Sequence, residues 1–96
     1  MTNSEGSKRY DLEERTYQFA AQVRRFIRNN SSYAQRDDLD QLRRASGSVA
    51  ANYIEANESL SKKDFFHRIK ICRKEAKECT LWLRLIDSCP EQKALL

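Results

Sequence analysis

Two glycines and one proline in 96 residues leave this chain little material for tight turns. That scarcity, with a third of the residues charged, favours long helices joined by few loops. No apolar run approaches the ~20 residues needed to span a bilayer, so no membrane partner is expected. Residues 1–9 are polar and lack the apolar core of a secretory signal; they read as a disordered tail ahead of one domain over 10–96. The expected location is therefore the cytoplasm. There is a single histidine, His67. With Asp64 three residues before it His67 makes half of a metal site, and no second histidine completes one. It reads as an exposed helical residue, and no metal or cofactor is expected. Three cysteines, Cys72, Cys79 and Cys89, have no metal-type spacing. Cys72 and Cys79 lie two turns apart on one predicted helix, roughly 10 Å along its axis. A disulfide reaches less than about 7 Å between Cα atoms. Both read as reduced thiols packed as small hydrophobes.

What the chain does contain is apolar periodicity. Phe65, Ile69, Cys72, Ala76, Cys79, Leu83 and Ile86 recur at alternating steps of four and three, a heptad seam without Gly or Pro. The spacing predicts one helix over 61–87, about 39 Å long at 1.5 Å per residue. Ser61 with Asp64 forms its capping box. A rod of that length with one apolar stripe needs partners along it. A first helix is expected from Asp11, where Asp11 and Glu14 form a capping-box-like start, to about Asn29. Its seam is Leu12, Thr16, Phe19, Val23 and Phe26, widened by Ala20 and Ile27, and Arg24, Arg25 and Arg28 load its last turn with the sign that suits the helix dipole. A second helix is expected from Asp37 or Asp38 to Glu58, with the seam Leu39, Leu42, Ser46, Val49, Tyr53 and Ala56. Its centre, 45–51, is built of small residues, including Gly47. A close crossing by another helix would account for a glycine that costs about 1 kcal/mol relative to alanine. Beyond 87, Ser88 and Glu91 repeat the capping spacing with Pro90 in the first turn, so a fourth helix begins near Cys89 and meets the last residue after barely two turns. The expected fold is all-α, an up-down-up-down antiparallel four-helix bundle with a short fourth helix. The groove left on the fourth side calls for another copy, a partner or the stub Ala94-Leu95-Leu96, and the expectation is an oligomer.

No Gly-rich phosphate loop, catalytic carboxylate pair or nucleophile–base pair is present, so no catalytic residues are assigned and enzyme activity is not expected. Net charge is +4 and unevenly spread. Residues 10–29 carry four Arg against three acids, 37–58 two Arg against five acids, and 61–87 eight basic residues against four acids. Either the second and third segments pack side by side and complement each other, or the surplus on the third meets a polyanion. Lys63, His67, Lys70, Lys74 and Lys77 recur at steps of four and three on one face of the third helix, broadened by Arg73 and Lys62. Such a line can track a phosphate backbone, or it can be a solvated face. Asn52 and Glu55, beside the small-residue segment, read as a polar pair that fixes helix register or as a ligand-binding pair, with the structural role favoured. Trp82 either buries against a neighbouring subunit or widens the core face.

Three stretches carry a resemblance. They are Tyr10-Asp11-Leu12-Glu13-Glu14-Arg15-Thr16; the segment from Leu42 to Ala56, with its spacing Arg44-x-Ser46-x-Ser48-x-x-x-Asn52-x-x-Glu55; and Ser61-Lys62-Lys63-Asp64-Phe65-Phe66 followed by Ile69 to Glu78. Together they resemble the bacterial four-helix-bundle proteins first noticed as reading frames in intervening sequences of 23S ribosomal RNA genes, also labelled S23 ribosomal protein. The resemblance implies a bundle that assembles into a ring, commonly a homopentamer. A related protein is an accessory factor to the reverse transcriptase of diversity-generating retroelements, where a basic ring surface is thought to meet nucleic acid and the enzyme. By that resemblance the partners expected here are further copies of the chain, RNA or DNA, and a protein such as a reverse transcriptase. Lys63, Lys70, Arg73, Lys74 and Lys77, with Arg43 and Arg44 on the second helix, are the candidate nucleic-acid contacts. A protein scaffold docking its partner on the open groove is the alternative.

Overall fold

The computed structural model describes residues 4–31 and 36–87. They form three helices, α1 (Ser4–Asn30), α2 (Arg36–Asn57) and α3 (Lys62–Asp87), with no strand among the described residues. The all-α class is as expected, while the fourth helix expected from Cys89 lies outside the described residues. α2 and α3 match the sequence reading to within a residue or two at each end. The cap expected of α3 is present: the Asp64 backbone N–H donates to the Ser61 hydroxyl at 3.1 Å.

The start of α1 is a correction. The helix begins at Ser4, not at Asp11, so residues 4–9, expected in a disordered tail, are helical. Capping chemistry at Asp11 favours a start there but does not prohibit a turn before it. Once a helix exists, each further residue adds a hydrogen bond at little cost, and Lys8, Arg9 and Tyr10 are ordinary helix residues.

α2 lies between the other two helices, and α1 and α3 barely meet. The array measures 49 × 30 × 15 Å and has a radius of gyration of 15.8 Å, against about 12 Å for a compact domain of this length. Val23, Leu39, Leu42, Ala45, Cys79 and Ile86 form the core, with Phe19, Phe26, Ile27 and Trp82 packed against it. These residues come from the C-terminal halves of α1 and α3 and the N-terminal half of α2, so the main core cluster occupies one end of the array, while Val49 and Ala56 are buried in the other half of α2. Leu42 is fully buried, and burying a leucine contributes about 2 kcal/mol. Ser46 is fully buried beside it, its hydroxyl satisfied by the Arg43 carbonyl at 3.0 Å.

Polar links hold the helices in register elsewhere. The Asn57 amide donates to the Glu13 carboxylate at 2.6 Å, tying α2 to α1. Arg68 donates to the Asn52 side-chain oxygen at 3.0 Å, and the Cys72 thiol reaches the Val49 carbonyl at 3.5 Å, tying α3 to α2.

The covered stripe of α3 also departs from expectation. Of the predicted seam, Phe65, Ile69, Cys72, Cys79 and Ile86 are buried or half-buried, but Ala76 and Leu83 are exposed. Arg68, Glu75 and Trp82 are half-buried as well. In the second half of the helix the covered position thus shifts by one at alternate heptad sites, from Ala76 to Glu75 and from Leu83 to Trp82. Trp82 brings more apolar area to the core than Leu83, and Arg68 finds the Asn52 oxygen, so both gains favour this rotation. Of the two readings left open for Trp82, widening the core face is the one observed.

Candidate functional site

The basic face of α3 is laid down by the same rotation. With the covered stripe facing α2, side chains at 63, 67, 70, 74 and 77 fall on the far side of the helix. Lys63, His67, Lys70, Arg73, Lys74 and Lys77 are all exposed. From Lys63 to Lys77 the stripe runs about 21 Å. Lys74 approaches the carboxylate of neighbouring, half-buried Glu75 at 3.8 Å, a loose pair whose lysine stays exposed. The four lysines project into water as the spacing predicted.

Arg43 and Arg44 stand elsewhere. Both are exposed on α2 and both bind the Asp40 carboxylate, Arg43 at 2.6 Å and Arg44 at 3.1 Å. The Arg43 hydrogen bond, with the Arg44 charge beside it, holds the Asp40 carboxyl below its usual range. Arg43 also lines a cavity of about 220 Å³ with Ile27 and Ser31 near the α1–α2 turn. It therefore sits toward α1, and the fold does not bring it onto the lysine face of α3.

Asn52 and Glu55 part company in the fold. Asn52 is half-buried, donates to the Ser48 carbonyl at 2.9 Å and accepts from Arg68. Glu55 is exposed. Of the two, Asn52 makes the link to α3 through Arg68, while Glu55, about 60° round the helix from it, lies exposed at the edge of that face. Among the described residues no group of three or more His, Cys, Asp or Glu could hold a metal ion. No described helix is long and apolar enough to cross a membrane.

One feature escaped the sequence reading. On the outer side of the α1–α2 contact a groove of about 500 Å³ has Ala20, Ala21, Gly47, Ala50 and Ala51 for its floor. Arg24, Arg25 and Arg28 stand along its α1 edge, and Tyr17 and Ile54 complete its lining. The Arg24 guanidinium leans over Gly47, its Nη2 3.4 Å from where a Cβ would be. Gly47 thus leaves room for an arginine side chain rather than for a crossing backbone. The signal was present as three arginines within five positions beside Ala20 and Ala21, but complementing the helix dipole was a sufficient account of them.

The model of the family described as 23S rRNA-intervening sequence protein matches residues 8–90, which takes in all of α2 and α3 and most of α1, and the chain belongs to that family. Searches of curated proteins and of solved structures each gave no match.

Proposed function

From this family membership we propose that the protein is a non-enzymatic, oligomeric bundle that associates with nucleic acid through the basic face of α3. The carrying observation is that Lys63, Lys70, Lys74 and Lys77 are exposed together along about 21 Å of one helix face, turned away from the covered stripe. A row of ammonium groups at this spacing suits the successive phosphates of a polynucleotide, each contact releasing a counterion. Arg73 widens the row. Arg43 and Arg44 belong to a second, partly neutralised patch and enter this reading as secondary contacts.

The bundle reading goes with it. Ala76 and Leu83 are exposed, and Ile69 is half-buried on the same side of α3. A fourth helix, completing an up-down-up-down bundle, or the face of a second copy would cover that side. The ring assembly implied by the earlier resemblance is the form of oligomer this reading favours.

Binding of RNA and DNA across a salt series tests the nucleic-acid reading. Replacing Lys63, Lys70, Lys74 and Lys77 by alanine is expected to weaken binding uniformly across sequences. It should also flatten the slope of log K against log salt by up to about 3–4, somewhat under one unit for each of the four lost phosphate contacts. Unchanged affinity and slope would overturn it. The alternative reading, a protein scaffold, would place its partner on the side of α3 that a fourth helix would cover.

A further inference from the structure

We propose that the groove between α1 and α2 receives an acidic amphipathic helix of a protein partner. The surface lies apart from the lysine face of α3, so it stands or falls independently of nucleic-acid binding.

Charge is the first argument. Arg24, Arg25 and Arg28 line the groove, and none of them is within ion-pair distance of a carboxylate among the described residues. Elsewhere on the same two helices arginines do find acids: Arg15 pairs with Asp11, and Arg43 and Arg44 share Asp40. Three guanidinium groups along one trough without a counter-charge form a site complementary to carboxylates, which they can grip in bidentate fashion.

Shape and chemistry then choose between anionic partners. The floor is alanine and glycine, so a ridge of side chains from a third helix can settle into it as helices pack ridge into groove. Tyr17 and Ile54, 58% and 50% exposed, offer apolar area beside that floor. A nucleic-acid strand would set sugars and phosphates against alanine methyls, and it would find one ring, Tyr17, where such strands use repeated aromatic platforms. Arg24 and Arg28 are one i, i+4 step apart, about 6 Å along the axis. Carboxylates four residues apart on a helix lying alongside have the same stagger. The partner is therefore a helix with small or medium apolar residues on one face and Glu or Asp at i, i+4 along its edge.

The experiment uses the full chain and a labelled helical peptide carrying Glu at i, i+4 positions beside an Ala/Leu face, read by fluorescence anisotropy. Binding is expected to weaken at least about tenfold when the glutamates become glutamines, and likewise in the double variant Arg24→Ala, Arg28→Ala. Ala51→Trp is expected to abolish binding by filling the groove; Ala51 is exposed, so the substitution leaves the core alone. Lys70→Ala with Lys74→Ala is expected to change nothing. Equal binding of the glutamine peptide, or indifference to both groove variants, overturns the proposal. So does a single-stranded oligonucleotide that loses affinity in Ala51→Trp while the acidic peptide does not bind. A drop in the chain's own assembly mass in Ala51→Trp would assign the groove to a second copy and overturn it too.

Discussion

At Gly47 the nearest atoms to an added Cβ are the Arg24 Nη2 at 3.4 Å and Nη1 at 3.9 Å, the far end of a flexible side chain. No backbone crosses there, so nothing offsets the helix penalty of glycine. Gly47→Ala is expected to raise stability by about 0.5–1 kcal/mol in denaturant unfolding; a loss instead would mean that Arg24 is held firmly over the groove. Cys79 makes a second case. It is 2% exposed, and burial, followed by the nearby Glu75 and Glu78 charges, pushes its thiol up to about 11. An unfolded chain gives up this proton near the ordinary value of 9.0 while the folded chain keeps it. Stability contributed by the buried thiol is thus full below pH 9 and declines as pH rises from there toward 11. At pH 8 Cys79 is expected to resist a thiol-exchange reagent until denaturant is added, which peptide mapping would reveal; equal labelling of the native protein would contradict its burial. Asn52 was legible in the sequence as one of a polar pair beside the small-residue segment of the second helix. Its partner, Arg68, was not, because that depends on how α3 is turned.

Among elements, α3 shows where local sequence suffices and where it stops. Its start is set by Ser61, a bond made within one turn, and could be read in advance. Its covered face could not be read to the same accuracy. Phe65, Cys72, Cys79 and Ile86 belong to both candidate seams, and Arg68 and Ile69 are both half-buried; the choice between Ala76, Leu83 and Glu75, Trp82 rests on what α2 presents opposite. The chosen rotation leaves the buried Trp82 indole N–H without a hydrogen-bond partner. Trp82→Phe removes that unsatisfied donor along with some apolar area. The two effects oppose each other, so the expected change is within about 1 kcal/mol, well short of the 3–5 kcal/mol typical of truncating a buried aromatic to alanine. Thermal unfolding of the two variants would separate these outcomes. α1 teaches the converse lesson: a good capping pattern at Asp11 did not end the helix there, since upstream residues can continue it.

For the whole molecule, three helices with α2 in the middle gather their main core cluster toward one end and leave large apolar side chains in water. Leu12, Tyr17, Ile54 and Phe66, all toward the other end, are 42–58% exposed. The oligomer proposed above predicts that solution mass, by light scattering or native mass spectrometry, exceeds that of the 11.3 kDa chain. A stable monomer would refute it. Charge is partitioned at this scale as well. The acid-rich α2 lies beside the base-rich α3, yet the lysine face turns outward, so packing of the two helices does not consume the surplus.

Helix content, the bounds of α2 and α3, the exposed lysine row and the family were all present in the linear chain. Each depends on interactions within a few residues, on side-chain period, or on a pattern of residue types. The order of helices in space, the rotation of α3, the Arg68–Asn52 link and the arginine-lined groove came from packing. In each, two residues distant in sequence meet, and the winning arrangement is set by area buried and hydrogen bonds satisfied between helices. The third helix is thereby resolved into a core stripe that leaves its apparent seam at Ala76 and Leu83, and a basic face opposite. The first helix gains a groove whose local trace, three arginines beside two alanines, the helix dipole already accounted for.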